Sequence, residues 1–249
     1  AFAFRLLKAE GWSGEILDDN AKEARLIRDA LQKLGTQLTP MRGSNLIMDV
    51  LQQINRIKRG LLTPSEEIIE VKQPKGMLKI DAEQVWNELQ DSQSRRHQIS
   101  FEDQVFLAAD LLLRDAEIRH RWQGRFEDIL VDEFQDLNSA QSTLIRSIVT
   151  PSANLFAVGD DDQLIYSWRN AEVKNLLNGF VSTYAGATTY TLGTNYRCAK
   201  EIVRSGQRLI EHNKLPFPKK ITPAAEAPLG NLELVSVDSL AGLGENLVR

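Results

Sequence analysis

A single cysteine, Cys198, stands in the whole chain, so no intramolecular disulfide framework can hold the fold. Stability has to come from an apolar core, and a lone thiol fits a reducing cytoplasm. Long hydrophobic runs are also missing. Nothing approaches the roughly 18–20 apolar residues that span a bilayer, and no signal-peptide pattern opens the chain, so no membrane partner is expected. There is no basic excess either: 30 Lys and Arg against 34 Asp and Glu leave a formal charge of −4. That balance mildly opposes nucleic-acid binding but leaves room for a local basic groove. None of the 15 glycines is followed by lysine. The loop ending Gly-Lys-Ser/Thr, whose amides and lysine cradle nucleotide phosphates, is therefore not among these residues. The first residue is Ala1 rather than Met, which suggests an excised or processed piece.

What is present is ordinary globular material, 42% hydrophobic and 26% charged, in a length that allows one large domain or two smaller ones. Two apolar segments stand out because each ends in acids. The first reads Asp128-Ile129-Leu130-Val131-Asp132-Glu133-Phe134-Gln135-Asp136, and the second runs from Asn154 through Val158 and Gly159 to Asp160-Asp161-Asp162-Gln163. Such runs suit strands buried on both faces of a parallel sheet, and in open α/β sheets the ligand crevice lies at the carboxyl ends of the strands. Asp132, Glu133 and Gln163 would then share one mouth. Adjacent carboxylates there can hold Mg²⁺ and orient or deprotonate water. The plainer alternative is a strand end whose acids face solvent.

Helical spacing dominates elsewhere. Residues 18–35 form an amphipathic helix capped by Asp18 or Asp19 and stopped by Gly35, with Ala24, Ile27, Leu31 and Leu34 inward. Residues 44–60 and 81–96 repeat the pattern. Between them, residues 63–80 read as a loop broken by Pro64, Pro74 and Gly76, so 18–97 is expected to be all helical. Ser100 and Asp103 form a capping box for a helix over 101–114. Arg119, His120, Arg121, Trp122 and Arg125 read as a solvated face packing one Trp, in preference to a DNA contact. Further on, 172–180 should be a helix and 187–192 a strand. Residues 199–213 should be a helix with Ile202, Val203, Leu209 and Ile210 inward. Residues 214–230, with Pro216, Pro218, Pro223 and Pro228, read as a linker, and Leu232 to Val237 as a strand.

Three segments together carry a resemblance: Asp-Glu-Phe-Gln-Asp (132–136), Val-Gly-Asp-Asp-Asp-Gln-Leu-Ile-Tyr-Ser-Trp-Arg (158–169) and Asn-Tyr-Arg (195–197). In order and spacing they resemble consecutive motor motifs of the UvrD/Rep-type superfamily 1 DNA helicases. The resemblance implies an α/β fold with a RecA-like parallel sheet and an inserted helical subdomain. Residues 1–17 and 98–225 would belong to a first motor domain, 18–97 to the insert, and 226–249 to the start of a second motor domain. The implied activity is that of an ATP-dependent DNA helicase moving 3′-to-5′, with ATP and Mg²⁺ as cofactors and single-stranded DNA or a single/double-strand junction as partner.

By the same resemblance, Asp132 coordinates Mg²⁺ mostly through water and Glu133 is the general base. Gln163 contacts the attacking water and the γ-phosphate. Tyr196 stacks on adenine and Arg197 contacts the γ-phosphate. Trp168, with Tyr166 beside it, offers a stacking platform for bases, and Arg169 pairs with the motif's acids and couples DNA occupancy to the ATP site. Leu137, Leu164, Asn170 and Cys198 depart from the family's usual Thr, Ser, Gly and Ser, and none removes a catalytic group. Because the Gly-Lys-Ser/Thr loop is absent, this chain alone is expected to be inactive. A non-enzymatic DNA-binding remnant is the first alternative. A metal-dependent nuclease built on 132, 133, 136 and 160–162 is the second.

Overall fold

Amphipathic stretches become helices here wherever a side chain is placed to start them. The computed structural model describes residues 1–17, 19–36, 43–73, 76–163, 177–212 and 219–233. The chain divides into two units, Ala1–Phe180 and Val181–Arg249. The first opens with α1 (Phe2–Ala9) and β1 (Glu15–Ile16). Then α2 (Asn20–Lys33) starts where Asp19 accepts a 2.8 Å bond from the Ala21 N–H. Next come α3 (Gly43–Gly60) and α4 (Ala82–Arg96), the latter capped by Asp81, which accepts from the Glu83 and Gln84 amides. Helix α5 (Phe101–Arg114) begins at the reciprocal Ser100–Asp103 capping box that the sequence announces. Each such cap is worth about 1 kcal/mol.

The expected loop at 63–80 is a correction. Residues β2 (Ile68–Gln73) and β3 (Gly76–Asp81) form an antiparallel hairpin, so the 18–97 segment is not all helical. Alternation decides it: Ile69, Val71 and Ile80 point inward and are buried, while Glu70 pairs with Lys79 on the outer face. The Gln53 side chain of α3 bonds both the carbonyl and the N–H of Glu70, at 3.0 and 3.2 Å, and so caps the open edge of β2.

The chain leaves for these helices and returns side by side. Strand β4 (Gln98–Ile99) pairs in parallel with β1, Glu15 opposite Gln98 and Ile16 opposite Ile99. Gly14 makes that closure possible, since a Cβ there would lie 2.2 Å from the His97 carbonyl oxygen.

Two apolar clusters follow, and α5 supplies both. Phe106 joins Leu26, Ile27, Ile54, Val71, Trp86 and their neighbours. On its other side, Ala108, Ala109 and Leu112 join Leu6, Leu7 and Trp122 with Leu144 and Ile148. Where four helices meet, a polar knot lies sealed among them. Lys58 of α3 and Asp103 of α5, 1% and 0% exposed, approach to 2.7 Å, with Glu23 of α2 3.6 Å from the ammonium. Asp103 Oδ2 also accepts from Gln93 of α4 at 2.6 Å and from the amide and hydroxyl of Ser100 at 2.9 and 2.8 Å.

Helix α6 (Ala116–Gln123) packs Trp122, buried, as the plainer sequence reading holds. Glu10 accepts from Trp122 Nε1 at 2.7 Å and from Arg121, while Arg119 donates to the last carbonyls of α5. Strands β5 (Asp128–Val131) and β6 (Asn154–Ala157) flank α7 (Ser139–Ile148), and α8 (Leu177–Thr183) follows. No helix among the described residues is long and apolar enough to cross a membrane.

The second unit has β7 (Thr194–Asn195), α9 (Lys200–Ile210) and β8 (Thr222–Pro223), with β7 and β8 parallel. Residues 187–192 are not a strand, since pairing begins only at Thr194. Nor does α9 bury its whole apolar face: Val203 is buried, but Ile202 and Leu209 are exposed. The described part of the expected linker is structured too. Pro228 and Leu229 carbonyls accept from the Lys200 and Glu201 amides, both at 2.9 Å, and replace the side-chain cap that α9 lacks. Most of the expected strand at 232–237 falls outside the described residues.

Candidate functional site

Parallel pairing puts the two acid-tipped ends together. Strands β5 and β6 are in register from Asp128 opposite Asn154 to Val131 opposite Ala157, and the ladder continues as the Val158 N–H donates to the Val131 carbonyl at 2.9 Å. The Phe134 N–H then donates to the Val158 carbonyl at 2.8 Å, which fixes the turn after β5 against the start of the loop after β6. Burial on both strand faces is a second correction. Ile129 packs on the core cluster, whereas Leu130 and Phe156 on the opposite face are 76% and 61% exposed.

Beyond β5 the backbone turns abruptly. Glu133 has φ +49° and ψ +46°, a left-handed conformation that costs about 1–2 kcal/mol in a residue with a Cβ. A 3₁₀ turn, Phe134–Asp136, follows at once. Asp132 and Glu133 both lie exposed at the strand end. One oxygen of Asp132 accepts from the Glu133 amide at 2.9 Å, and Glu133 Oε2 accepts from Gln135 Nε2 at 2.6 Å. Gln135, only 2% exposed, uses its other end as well: Oε1 accepts from the Asp160 N–H at 3.0 Å.

Asp160 organises the second loop. Its carboxylate accepts from the Asp162 amide at 3.1 Å and from Gln163 Nε2 at 2.7 Å, within a 3₁₀ turn over Asp161–Gln163. Gly159 permits the close crossing of the two loops, because a Cβ there would stand 3.0 Å from Gln135 Oε1 and 3.4 Å from the Phe134 Cβ. Asp132, Glu133 and Gln163 thus sit on the carboxyl ends of neighbouring parallel strands, joined through Gln135 and Asp160. Tyr166, Trp168 and Arg169 lie outside the described residues. In the second unit, Tyr196 and Arg197 are both exposed. Their turn is set by Asn195, whose side-chain oxygen accepts from the Arg197 and Cys198 amides at 3.0 and 2.8 Å.

Gln135 is the residue that reading the sequence missed. It lies inside the Asp-Glu-Phe-Gln-Asp motif, yet nothing local separates it from its polar neighbours. The signal is its partner Gly159, 24 positions away, a glycine where a strand end crosses a turn.

The donor set suits magnesium. This hard cation keeps several waters and takes one or two carboxylates, and an exposed Asp132 offers one of them. No three of His, Cys, Asp and Glu converge as a metal-binding group among the described residues, so the nuclease reading has no cluster to rest on there.

Comparison with known proteins agrees with the motifs. The family model described as the UvrD/REP helicase N-terminal domain matches residues 4–181. A "Probable DNA helicase II homolog" of Mycoplasma capricolum subsp. capricolum is 30% identical over 206 residues, 83% of this chain and 28% of that protein. An "ATP-dependent DNA helicase PcrA" of Leuconostoc citreum is 34% identical over 172 residues, 69% of this chain and 22% of the relative. One of the same name from Staphylococcus epidermidis is 37% identical over 140 residues, 56% of this chain and 19% of its own length. The chain therefore spans roughly a fifth to a little over a quarter of these relatives. With the parallel β5–β6 pair and its acidic carboxyl edge, the match over residues 4–181 shows that the chain belongs to the UvrD/REP helicase family.

Proposed function

We propose that this chain carries the hydrolytic edge of an ATP-driven DNA motor, with Asp132, Glu133 and Gln163 as its working groups. One observation carries the reading: adjacent, exposed carboxylates end a parallel strand at a left-handed turn and are bonded through a buried amide to the neighbouring loop. Magnesium bound with ATP would draw charge from the phosphate being transferred. Asp132 would hold that ion, mostly through water. Glu133 takes the proton of the attacking water, and Gln163 orients that water and the γ-phosphate oxygen. On the family motif we assign Tyr196 to the adenine ring and Arg197 to the γ-phosphate. Trp168 and Tyr166 are assigned to stacking on single-stranded DNA or at a junction, and Arg169 to coupling between DNA and nucleotide.

Magnesium dependence tests this assignment. In the whole protein, Asp132→Asn raises the Mg²⁺ concentration for half-maximal hydrolysis about 10–100-fold; an unchanged requirement contradicts it. The 249-residue chain by itself, without a Gly-Lys-Ser/Thr loop, is expected to turn over no ATP. Turnover by the purified chain that disappears on Glu133→Gln would overturn that expectation.

A further inference from the structure

We propose that Gln135 is the positioning residue that holds the Glu133 carboxylate and locks it to the loop bearing Gln163. The inference rests on the roles proposed above for Glu133 and Gln163. A primary amide buried to 2% exposure needs partners for both ends, and here each partner belongs to a different loop. Nε2 donates to Glu133 Oε2 at 2.6 Å, and Oε1 accepts from the Asp160 N–H at 3.0 Å. Only one orientation of the amide satisfies both, because a carboxylate cannot donate and a backbone N–H cannot accept.

The two bonds are mechanically linked. The amide is planar and rigid, so a rotation that releases Glu133 also disturbs Asp160. Asp160 in turn accepts from Gln163 Nε2 at 2.7 Å, which makes one continuous path, Glu133–Gln135–Asp160–Gln163. Gly159 keeps that path short, since a Cβ would press to 3.0 Å from Gln135 Oε1. Without Gln135, an exposed glutamate on a left-handed turn would sample several rotamers, and the base would only intermittently face its water. Gln135 itself titrates nothing and is buried, so it acts through Glu133 rather than on substrate.

The test uses the whole protein, ATP and single-stranded DNA. Gln135→Met keeps length and loses both bonds. Gln135→Glu keeps an acceptor for Asp160 but sets a second carboxylate against Glu133. Both are expected to lower kcat about 10–100-fold with KM for ATP within about twofold, the loss that a misplaced group causes. Hydrogen exchange in the peptide carrying Asp160, measured relative to a peptide of α5, should quicken in Gln135→Met and stay slow in Gln135→Glu, which separates loss of the local bond from general instability.

A residue acting through Glu133 also adds nothing once Glu133 is gone. Glu133→Gln combined with Gln135→Met should therefore be no slower than Glu133→Gln alone. Wild-type kcat in Gln135→Met, or strictly additive losses in the double variant, would overturn the proposal. Wild-type turnover in Glu133→Gln would instead sink the underlying reading of the base, so the two failures are distinguishable.

Discussion

Asp103 and Glu133 each accept a 2.6 Å hydrogen bond from a glutamine side chain, from Gln93 and Gln135 respectively. Their surroundings differ in every other respect. Asp103 is fully buried, faces the Lys58 ammonium, and has three donors on one oxygen. Glu133 is exposed, no ion pair engages it among the described residues, and its backbone is held in a left-handed turn. Carboxylates consumed by partners specify how helices dock. One held by a single neutral donor, at an open strand end, is the group we propose as the base. The two differ in burial and in the charge of what faces them, a cation beside Asp103 and a neutral amide beside Glu133.

The largest test of the contrast is Lys58→Met. It leaves Asp103 and Glu23 buried without a cation, which should destabilise the first unit by about 3–5 kcal/mol in denaturant unfolding. A loss below about 1 kcal/mol would mean that the knot is not what docks α2, α3 and α5. Replacing Glu23, Lys58 and Asp103 together with apolar residues of similar volume should recover much of that loss.

The knot's pH response sharpens the comparison further. Burial is the largest influence on Asp103 and pushes its carboxyl up, but the Lys58 charge and the Lys58 and Ser100 hydrogen bonds together outweigh it and hold it below the ordinary range. Its contribution is therefore present above the usual aspartate value and is lost as pH falls through the lowered one. Glu23 behaves oppositely. Burial raises its carboxyl above the ordinary 4.5, and Lys58 offsets this only in part. Its contribution is fully present below that ordinary value and fades as pH rises through the elevated one. Glu23→Gln should therefore flatten the decline of stability above about pH 4.5 without touching the loss at lower pH. A smaller effect is expected at the hairpin. Gln53→Ala strips two bonds from the edge of β2 and should cost about 1–2 kcal/mol, read as a lower unfolding midpoint.

What the sequence made legible follows from how locally each feature is determined. Helices α2 and α5 could be placed because their caps, Asp19 and the Ser100–Asp103 box, act within one turn. The β2–β3 hairpin was hidden because Pro64, Pro74 and Gly76 look like a loop, and because exposed Ile68 and Met77 blur the inward alternation of Ile69, Val71 and Ile80. Residues 187–192 carried β-branched and aromatic side chains with no strand to pair them among the described residues, and propensity alone misplaced the strand. At the site, the placement of Asp132, Glu133 and Gln163 at the ends of neighbouring strands was legible from the apolar runs that precede them. Gln135 was not, since its role depends on a crossing between segments some 25 residues apart. The same holds for the Lys58 knot, which joins α3 to α5 across 45 positions.

Single-stranded-DNA-stimulated ATP hydrolysis by the whole protein with Glu133→Gln, measured beside its thermal midpoint, tests the central claim most directly. Turnover should fall about 10²–10⁴-fold while the midpoint stays where it was, because an exposed acid holds no part of the fold together. Turnover close to the wild-type rate, or a loss of activity that merely follows a loss of stability, would contradict the assignment of Glu133 as the base.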